Sequence, residues 1–326
     1  MWLRANVFRP AARELLAGSC RHHPIAQHTD AFHIDLDDVA RAQEPTELWY
    51  SWRHQLHALA QAGYRAIALD MRGHGESDAP IKIEDYDVCQ TVGDVIGLMD
   101  LLSIDRAALI GHDAGTSTVY HAALMRPDRV RGVMGLSVPY VPRGPLSVLD
   151  AFDGAVPDGF YMHYFQKPGV AEQDLERDIT ESLRRLIYAN SGQNPQAPFT
   201  MTVPEGSTLV DELPAPDGPM HFLSEADLDV YSTAYSRTGF RGGLHGYRVF
   251  QRNWELTAAW HDMALPVPAA YIGGTSDTVL QFPGFRTAAE AMGRATFLEG
   301  AGHWVQAERP DEVNEAMLSF LDSLPS

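Results

Sequence analysis

Leu109-Ile110-Gly111-His112-Asp113-Ala114-Gly115-Thr116-Ser117-Thr118-Val119-Tyr120 is the stretch on which the reading of the chain turns. The apolar run Ala107-Ala108-Leu109-Ile110 has the character of a buried strand, and the residues from Thr116 onward read as a helix. Gly111 to Gly115 must then be a tight strand-to-helix turn. Such a turn is a nucleophile elbow, here carrying Asp113 where the Gly-x-Ser-x-Gly form carries serine. Glycines flank the central residue because a side chain on either would collide with the neighbouring strand or helix. The turn holds that residue in a strained conformation, with its side chain over the carboxyl edge of the sheet. Taken alone, Asp113 has a second reading as a helix cap.

A carboxylate at an elbow implies different chemistry from a hydroxyl. It can displace a leaving group at saturated carbon and become an alkyl ester, which water must then cleave. The backbone N–H of Ala114, at the start of the helix, is the expected donor to the oxyanion of that second step. The second step also needs a base, and the base an orienter. Gly273-Gly274-Thr275-Ser276-Asp277 follows the apolar strand Val267 to Ile272, and Glu299-Gly300-Ala301-Gly302-His303-Trp304 follows Ala295 to Leu298. Asp277 and His303 each come shortly after a strand, so a parallel sheet brings both to the edge where Asp113 stands. The order nucleophile, acid, histidine is the one such a sheet uses. Singly, His303 reads as a structural histidine and Asp277 as a turn residue; jointly they read as catalytic.

Outward from these loops, strands and helices alternate. A helical pattern from Leu48 through Leu59 leads to the strand Tyr64 to Leu69 and the loop Asp70-Met71-Arg72-Gly73-His74-Gly75-Glu76-Ser77. That loop lacks the Lys-Ser/Thr of a phosphate cradle and reads as structural. Thr91 to Leu102 is a helix, Val130 to Ser137 a buried strand, and Val313 to Leu321 the last helix. The spacing predicts a mostly parallel, doubly wound α/β sheet with ligands beyond the carboxyl ends of its strands. Between Pro139 and Trp260 the pattern changes to Pro, Gly, aromatics and helical stretches such as Asp174 to Tyr188 and Glu225 to Ser236. An insertion placed there should roof the site.

The first forty-odd residues are the least legible. Ala11 to Leu16 suits a short amphipathic helix or a poorly ordered extension, Ala31 to Leu36 an edge strand, and Asp37 and Asp38 a solvated turn. His22, His23, His28 and His33 lack cysteine partners, so no metal site is expected. The 326 residues, 45% of them hydrophobic, suffice for a large core. A net charge of −18 excludes nucleic acid and anionic membrane surfaces as natural partners. No apolar run approaches a membrane span, and two cysteines without framework spacing predict a reducing, cytoplasmic setting.

From Glu47 onward the chain resembles the α/β-hydrolase-fold epoxide hydrolases. The resemblance is carried by Glu47-Leu48-Trp49-Tyr50-Ser51-Trp52-Arg53, Asp70 to Ser77, Gly111 to Gly115, Tyr161-Met162-His163-Tyr164-Phe165-Gln166-Lys167-Pro168-Gly169, Gly239-Phe240-Arg241-Gly242-Gly243-Leu244-His245-Gly246-Tyr247-Arg248 and Gly302-His303-Trp304. It implies an α/β-hydrolase core over 47–138 and 261–326, a helical lid over 139–260 and an atypical segment over 1–46. It further implies that Tyr161 and Tyr247 protonate the epoxide oxygen, that Asp113 attacks a ring carbon, and that His303, oriented by Asp277, activates water. A phenol suits the first role because, with a pKa of about 10, it keeps its proton at neutral pH. Trp49, His112 and Trp304 are expected around the substrate, and Tyr164 in a packing role. The implied partner is a small apolar epoxide, with no cofactor; a homodimer is left open.

Two departures stand out. Family members carry a buried strand and His-Gly-x-Pro, a source of a second oxyanion N–H, where this chain has Ala42-Gln43-Glu44-Pro45-Thr46 with no apolar strand before it. Losing one such donor costs about 10²–10³-fold, so alkylation of Asp113 is expected to survive while hydrolysis of the ester slows. His245-Gly246 stands where relatives commonly have Asn-Trp, which re-aims the pocket near Tyr247. The rival readings are a haloalkane dehalogenase-like hydrolase, which would want halide donors in place of Ala114, and a weakened protein that only binds an apolar ligand.

Overall fold

Alanine-, valine- and isoleucine-rich runs too short for helices form a seven-stranded sheet, and the longer periodic stretches between them form helices on its faces. A computed structural model of the protein describes residues 5–8, 38–42 and 48–325. The strands are β1 (Ala5–Phe8), β2 (Asp38–Ala42), β3 (Arg65–Leu69), β4 (Ala107–His112), β5 (Val130–Leu136), β6 (Ala269–Gly274) and β7 (Ala295–Leu298). Their order across the sheet is β1-β3-β2-β4-β5-β6-β7. β1 runs antiparallel to β3, and every other pairing is parallel.

The helices around the sheet are α1 (Arg53–Gln61), α2 (Val88–Leu101) and α3 (Ala114–Met125) before the insertion. The insertion carries α4 (Val148–Phe152), α5 (Tyr161–Tyr164), α6 (Val170–Leu175), α7 (Ile179–Ala189), α8 (Leu209–Glu212), α9 (Glu225–Thr238), α10 (Arg241–Arg248) and α11 (Phe250–Leu256). After it come α12 (Phe285–Ala291), α13 (Val305–Glu308) and α14 (Pro310–Asp322). One face of the sheet is covered by α2 and α3 through Val92, Val95, Met99, Val119 and Ala123. The other is covered by α1 and α14 through Leu56, Leu59, Val313, Met317 and Phe320. Each of these valine, leucine, methionine and phenylalanine side chains, fully buried, contributes about 1.5–3 kcal/mol. A third cluster, with Phe160, Tyr161, Leu183, Leu186, Leu228, Tyr235 and Phe240, gives the insertion a core of its own. Among the described residues, no helix is long and apolar enough to cross a membrane.

Two pieces of the N-terminal segment join the sheet, and this corrects the reading of Asp38 as part of a solvated turn. Asp38–Ala42 is a strand, paired with β3 on one side and β4 on the other, so a strand does run into Ala42. The residues are not an apolar run; it is the open edges of two neighbours that make them a strand, a tertiary effect that propensity does not report. The expected helix at Ala11 to Leu16, edge strand at Ala31 to Leu36 and histidine cluster lie outside the described residues, as do 43–47.

The carboxyl ends of the central strands are level. Ala42 stands opposite Gly111, Leu136 opposite Ile272, and Gly274 opposite Leu298. Asp113, Asp277 and His303 all leave from this one edge.

Candidate active site

β4 passes directly into α3 through Asp113, whose backbone takes φ +44° and ψ −119°. A non-glycine residue with positive φ is strained, and the surroundings must over-determine it. Here they do. The Asp113 N–H donates to the Leu136 carbonyl (3.2 Å), and its carbonyl accepts from the Thr116 N–H (2.9 Å) and Oγ1 (2.7 Å). A Cβ on Gly111 would lie 2.6 Å from the Gly115 carbonyl oxygen, so the two arms of the turn approach as only glycine allows. Ala114 opens α3, which makes its amide one of the first-turn N–H groups without an intrahelical acceptor.

The three charged groups form a line. His303 Nδ1–H donates to Asp277 Oδ2 at 2.9 Å, which leaves the Nε2 lone pair facing Asp113 Oδ1 at 3.6 Å. Asp277 is 1% exposed at its side chain and His303 6%, whereas Asp113 at 13% is the most open of the three. The elbow carboxylate is reachable, and the acid behind the histidine is not.

His303 is also fixed through its backbone. Its carbonyl accepts from Ser137 Oγ (2.6 Å) and His112 Nε2 (2.8 Å), and its N–H donates to the Asn190 carbonyl (2.8 Å). Ser137 caps β5 in a left-handed conformation, φ +67°, and is fully buried. Nothing in the local pattern signals this role, because Ser137 reads as the last residue of a strand.

Tyr161, on α5, and Tyr247, on α10, face each other with ring centroids 6.0 Å apart and planes at 78°. Both line a narrow cavity over the sheet edge with Asp113, His303, Trp304, Phe165, Leu175, Leu186, Asn190, Met201, Phe240, Leu244 and Val279. The space within it open to the centre of a water molecule is ≈ 50 Å³. Trp304 is held there by Nε1–H donating to the Ile187 carbonyl at 2.7 Å. Tyr164 lies elsewhere: its hydroxyl donates to the buried Asp174 at 3.2 Å, and burial with that carboxylate pushes its pKa up to about 12.

Two expected pocket residues are not in the lining. His112 is completely buried beneath His303, with ring centroids 4.8 Å apart, because its neighbours need its Nε2 as a donor. Trp49 begins the turn before α1, where its N–H donates to Asp70 Oδ1 at 2.9 Å. Asp70 also accepts from the Glu76 N–H, so it closes the glycine-rich loop on itself, a structural use.

Against known proteins, residues 46–310 match the alpha/beta hydrolase fold family. Epoxide hydrolase A of Mycobacterium tuberculosis is 43% identical over 283 residues, covering 85% of this chain and 88% of that protein. Epoxide hydrolase 2 of Siraitia grosvenorii is 38% identical over 286 residues, 84% of this chain and 88% of that one. The crystal structure of epoxide hydrolase A from Mycobacterium thermoresistibile superposes with a TM-score of 0.84 at 42% identity, over 90% of this chain and 94% of that one. With that likeness spanning both the core and the insertion, the chain belongs to the epoxide hydrolases of the α/β-hydrolase fold.

Proposed function

We propose that the chain converts a small apolar epoxide to a vicinal diol in two steps, without a cofactor. In the first, a carboxylate oxygen of Asp113 attacks a ring carbon, the carbon–oxygen bond breaks, and Tyr161 or Tyr247 donates its proton to the leaving alkoxide. In the second, His303 Nε2 takes a proton from water, which attacks the Asp113 ester carbonyl. The Ala114 N–H stabilises the oxyanion; on collapse His303 returns its proton to the departing alkoxide, and the proton left on the Asp113 carboxyl passes through solvent to the tyrosinate, so the diol leaves with every group restored. The observation that carries the reading is the Asp277–His303–Asp113 line ending in a mostly apolar cavity that two tyrosines also line. Two hydroxyl donors and an alanine after the nucleophile favour an epoxide over a carbon–halogen bond.

The insertion, 139–260, acts in this reading as the lid, since both tyrosines lie on it. The narrow apolar lining argues for a compact substrate. A cytoplasmic setting accords with Cys89, which is free and exposed. Hydrolysis of the ester is the slower step, because Gln43-Glu44-Pro45-Thr46 stands where the family's second oxyanion donor comes from.

The test is intact mass of the protein mixed with styrene oxide, with diol release followed in parallel and Asp113→Asn as control. A mass gain equal to the epoxide, dependent on Asp113 and decaying slowly to diol, supports both steps. Fast diol release with no ester would overturn the slow-hydrolysis part. Neither adduct nor diol from any of several epoxides would overturn the whole.

A further inference from the structure

Glu308 is a buried carboxylate that neither the elbow nor the charged line uses. It ends α13, just beyond the histidine loop, and accepts three backbone N–H groups. Oε2 takes those of Gly192 (2.9 Å) and Gly302 (3.0 Å), and Oε1 that of Trp304 (3.2 Å). Gly302 and Trp304 flank His303. Gly192 belongs to the insertion, just past the end of α7.

Around this carboxylate the insertion and the histidine loop fit backbone to backbone. The His303 N–H donates to the Asn190 carbonyl, and Trp304 Nε1–H to the Ile187 carbonyl. A Cβ on Gly192 would lie 2.0 Å from the Gly300 carbonyl oxygen, and one on Gly302 would lie 2.3 Å from the Gly192 nitrogen. The seating therefore admits one register. Asn190, in the same short segment, lines the cavity.

We propose that Glu308 is a positioning residue for ester hydrolysis, pinning the end of α7 to the histidine loop so that His303 and the Asn190 wall keep one spacing. The carboxylate is suited to this because one side chain can accept from both partners at once, and charge-assisted bonds to backbone N–H are the stronger kind. The attack by Asp113 and the proton from the tyrosines do not pass through this joint; the water activated by His303 does. The proposal rests on the assignment of Asp113 as nucleophile and His303 as base.

The experiment is single-turnover reaction with styrene oxide, reading ester formation and ester decay separately by intact mass, for wild type, Glu308→Ala, Glu308→Gln, Gly192→Ala and His303→Gln. A displacement of about 1 Å at a reacting group costs about 10²-fold, so Glu308→Ala should form the ester within about 3-fold of wild type and lose it about 10²-fold more slowly. Glu308→Gln, whose amide oxygen can stand in for Oε2, should recover most of the decay rate. Gly192→Ala, which forces the joint apart with Glu308 intact, should repeat the Glu308→Ala defect. Equal loss of both steps, or wild-type decay in Glu308→Ala, overturns the proposal. If Glu308→Ala fails to fold, wild-type decay in Gly192→Ala overturns it. His303→Gln keeps the two questions apart: no ester on Asp113 there sinks the underlying assignment, and the proposal with it.

Discussion

Asp277 shows how much one oxygen decides. It accepts the His303 Nδ1 proton at 2.9 Å and so keeps the Nε2 lone pair toward the cavity. An amide in its place can instead donate to Nδ1, which puts the proton on Nε2 and removes the base. Asp277→Asn should therefore slow ester decay by about 10⁴-fold, the scale of tautomer loss, while ester formation, which needs no base, stays near wild type. Single-turnover mass measurement reads both. On the other side of the cavity, Tyr161→Phe and Tyr247→Phe should each slow ester formation by about 10²–10³-fold, the scale of one lost donor to a developing oxyanion. Ester formation unchanged in both would remove the phenols from the reaction. Asp113, Asp277 and His303 were legible in the sequence because each is an ionisable residue shortly past a strand, and a parallel sheet collects such positions at one edge. Ser137 and Glu308 were not. The first depends on a left-handed turn set by β6, where its N–H donates to the Ile272 carbonyl; the second accepts from an amide 116 residues away.

At the scale of elements, the proposed reaction requires the two tyrosines to be held at a fixed separation although they sit on different helices of the insertion. Arg248, directly after Tyr247, does this. Its Nη1 and Nη2 donate to the two Glu172 oxygens (2.6 and 2.9 Å) on α6, and its Nε to the Phe165 carbonyl (2.9 Å) just after α5. Its side chain is 2% exposed. Burial alone would raise the Glu172 carboxyl, but the hydrogen bonds and charge of Arg248 bring it below its ordinary value. A lysine keeps the charge but cannot fork, so Arg248→Lys should lose about 1.5–3 kcal/mol for each charge-assisted hydrogen bond it cannot replace. It should also slow ester formation more than ester decay. Thermal melts and single-turnover rates check this, and wild-type ester formation in a destabilised variant would confine Arg248 to packing. The helical stretch read as Asp174 to Tyr188 is in fact two helices. Asp178 caps α7 by accepting the Glu181 N–H (3.0 Å), and Asp174 is turned inward to the Leu209 N–H (2.7 Å). Periodicity continues across such a break, so only the caps betray it. β2 is the opposite case, a strand with no apolar pattern, made by its neighbours.

For the whole molecule, buried histidines set how stability responds to acid. Burial lowers the pKa of His121 and His245 from the usual 6.5. His121 lies on α3, the helix that follows Asp113, with Nδ1–H donating to the Ser117 carbonyl at 2.7 Å. His245 is enclosed by Arg248, Arg241, Glu172 and the Ile81 carbonyl, to which its Nε2–H donates. For such a group the unfolded chain binds the proton first, so stability is intact above about 6.5 and is lost as pH falls from there toward the folded value. Asp70, Asp94 and Glu308 have the opposite sign. Burial raises their carboxyls, so their folded forms hold protons longer, and stability falls as pH rises above the ordinary 3.8 or 4.5 through their folded values. Acidification also relieves the self-repulsion of a chain carrying −18, a term that salt screens. Melting temperature at high salt should therefore drop as pH is lowered from 7 toward 5.5, and His121→Gln, which keeps a donor but cannot take the proton, should flatten part of that drop. A variant melting with the same pH slope as wild type would show that His121 titrates alike in both states. The acid response would then have to come from His245.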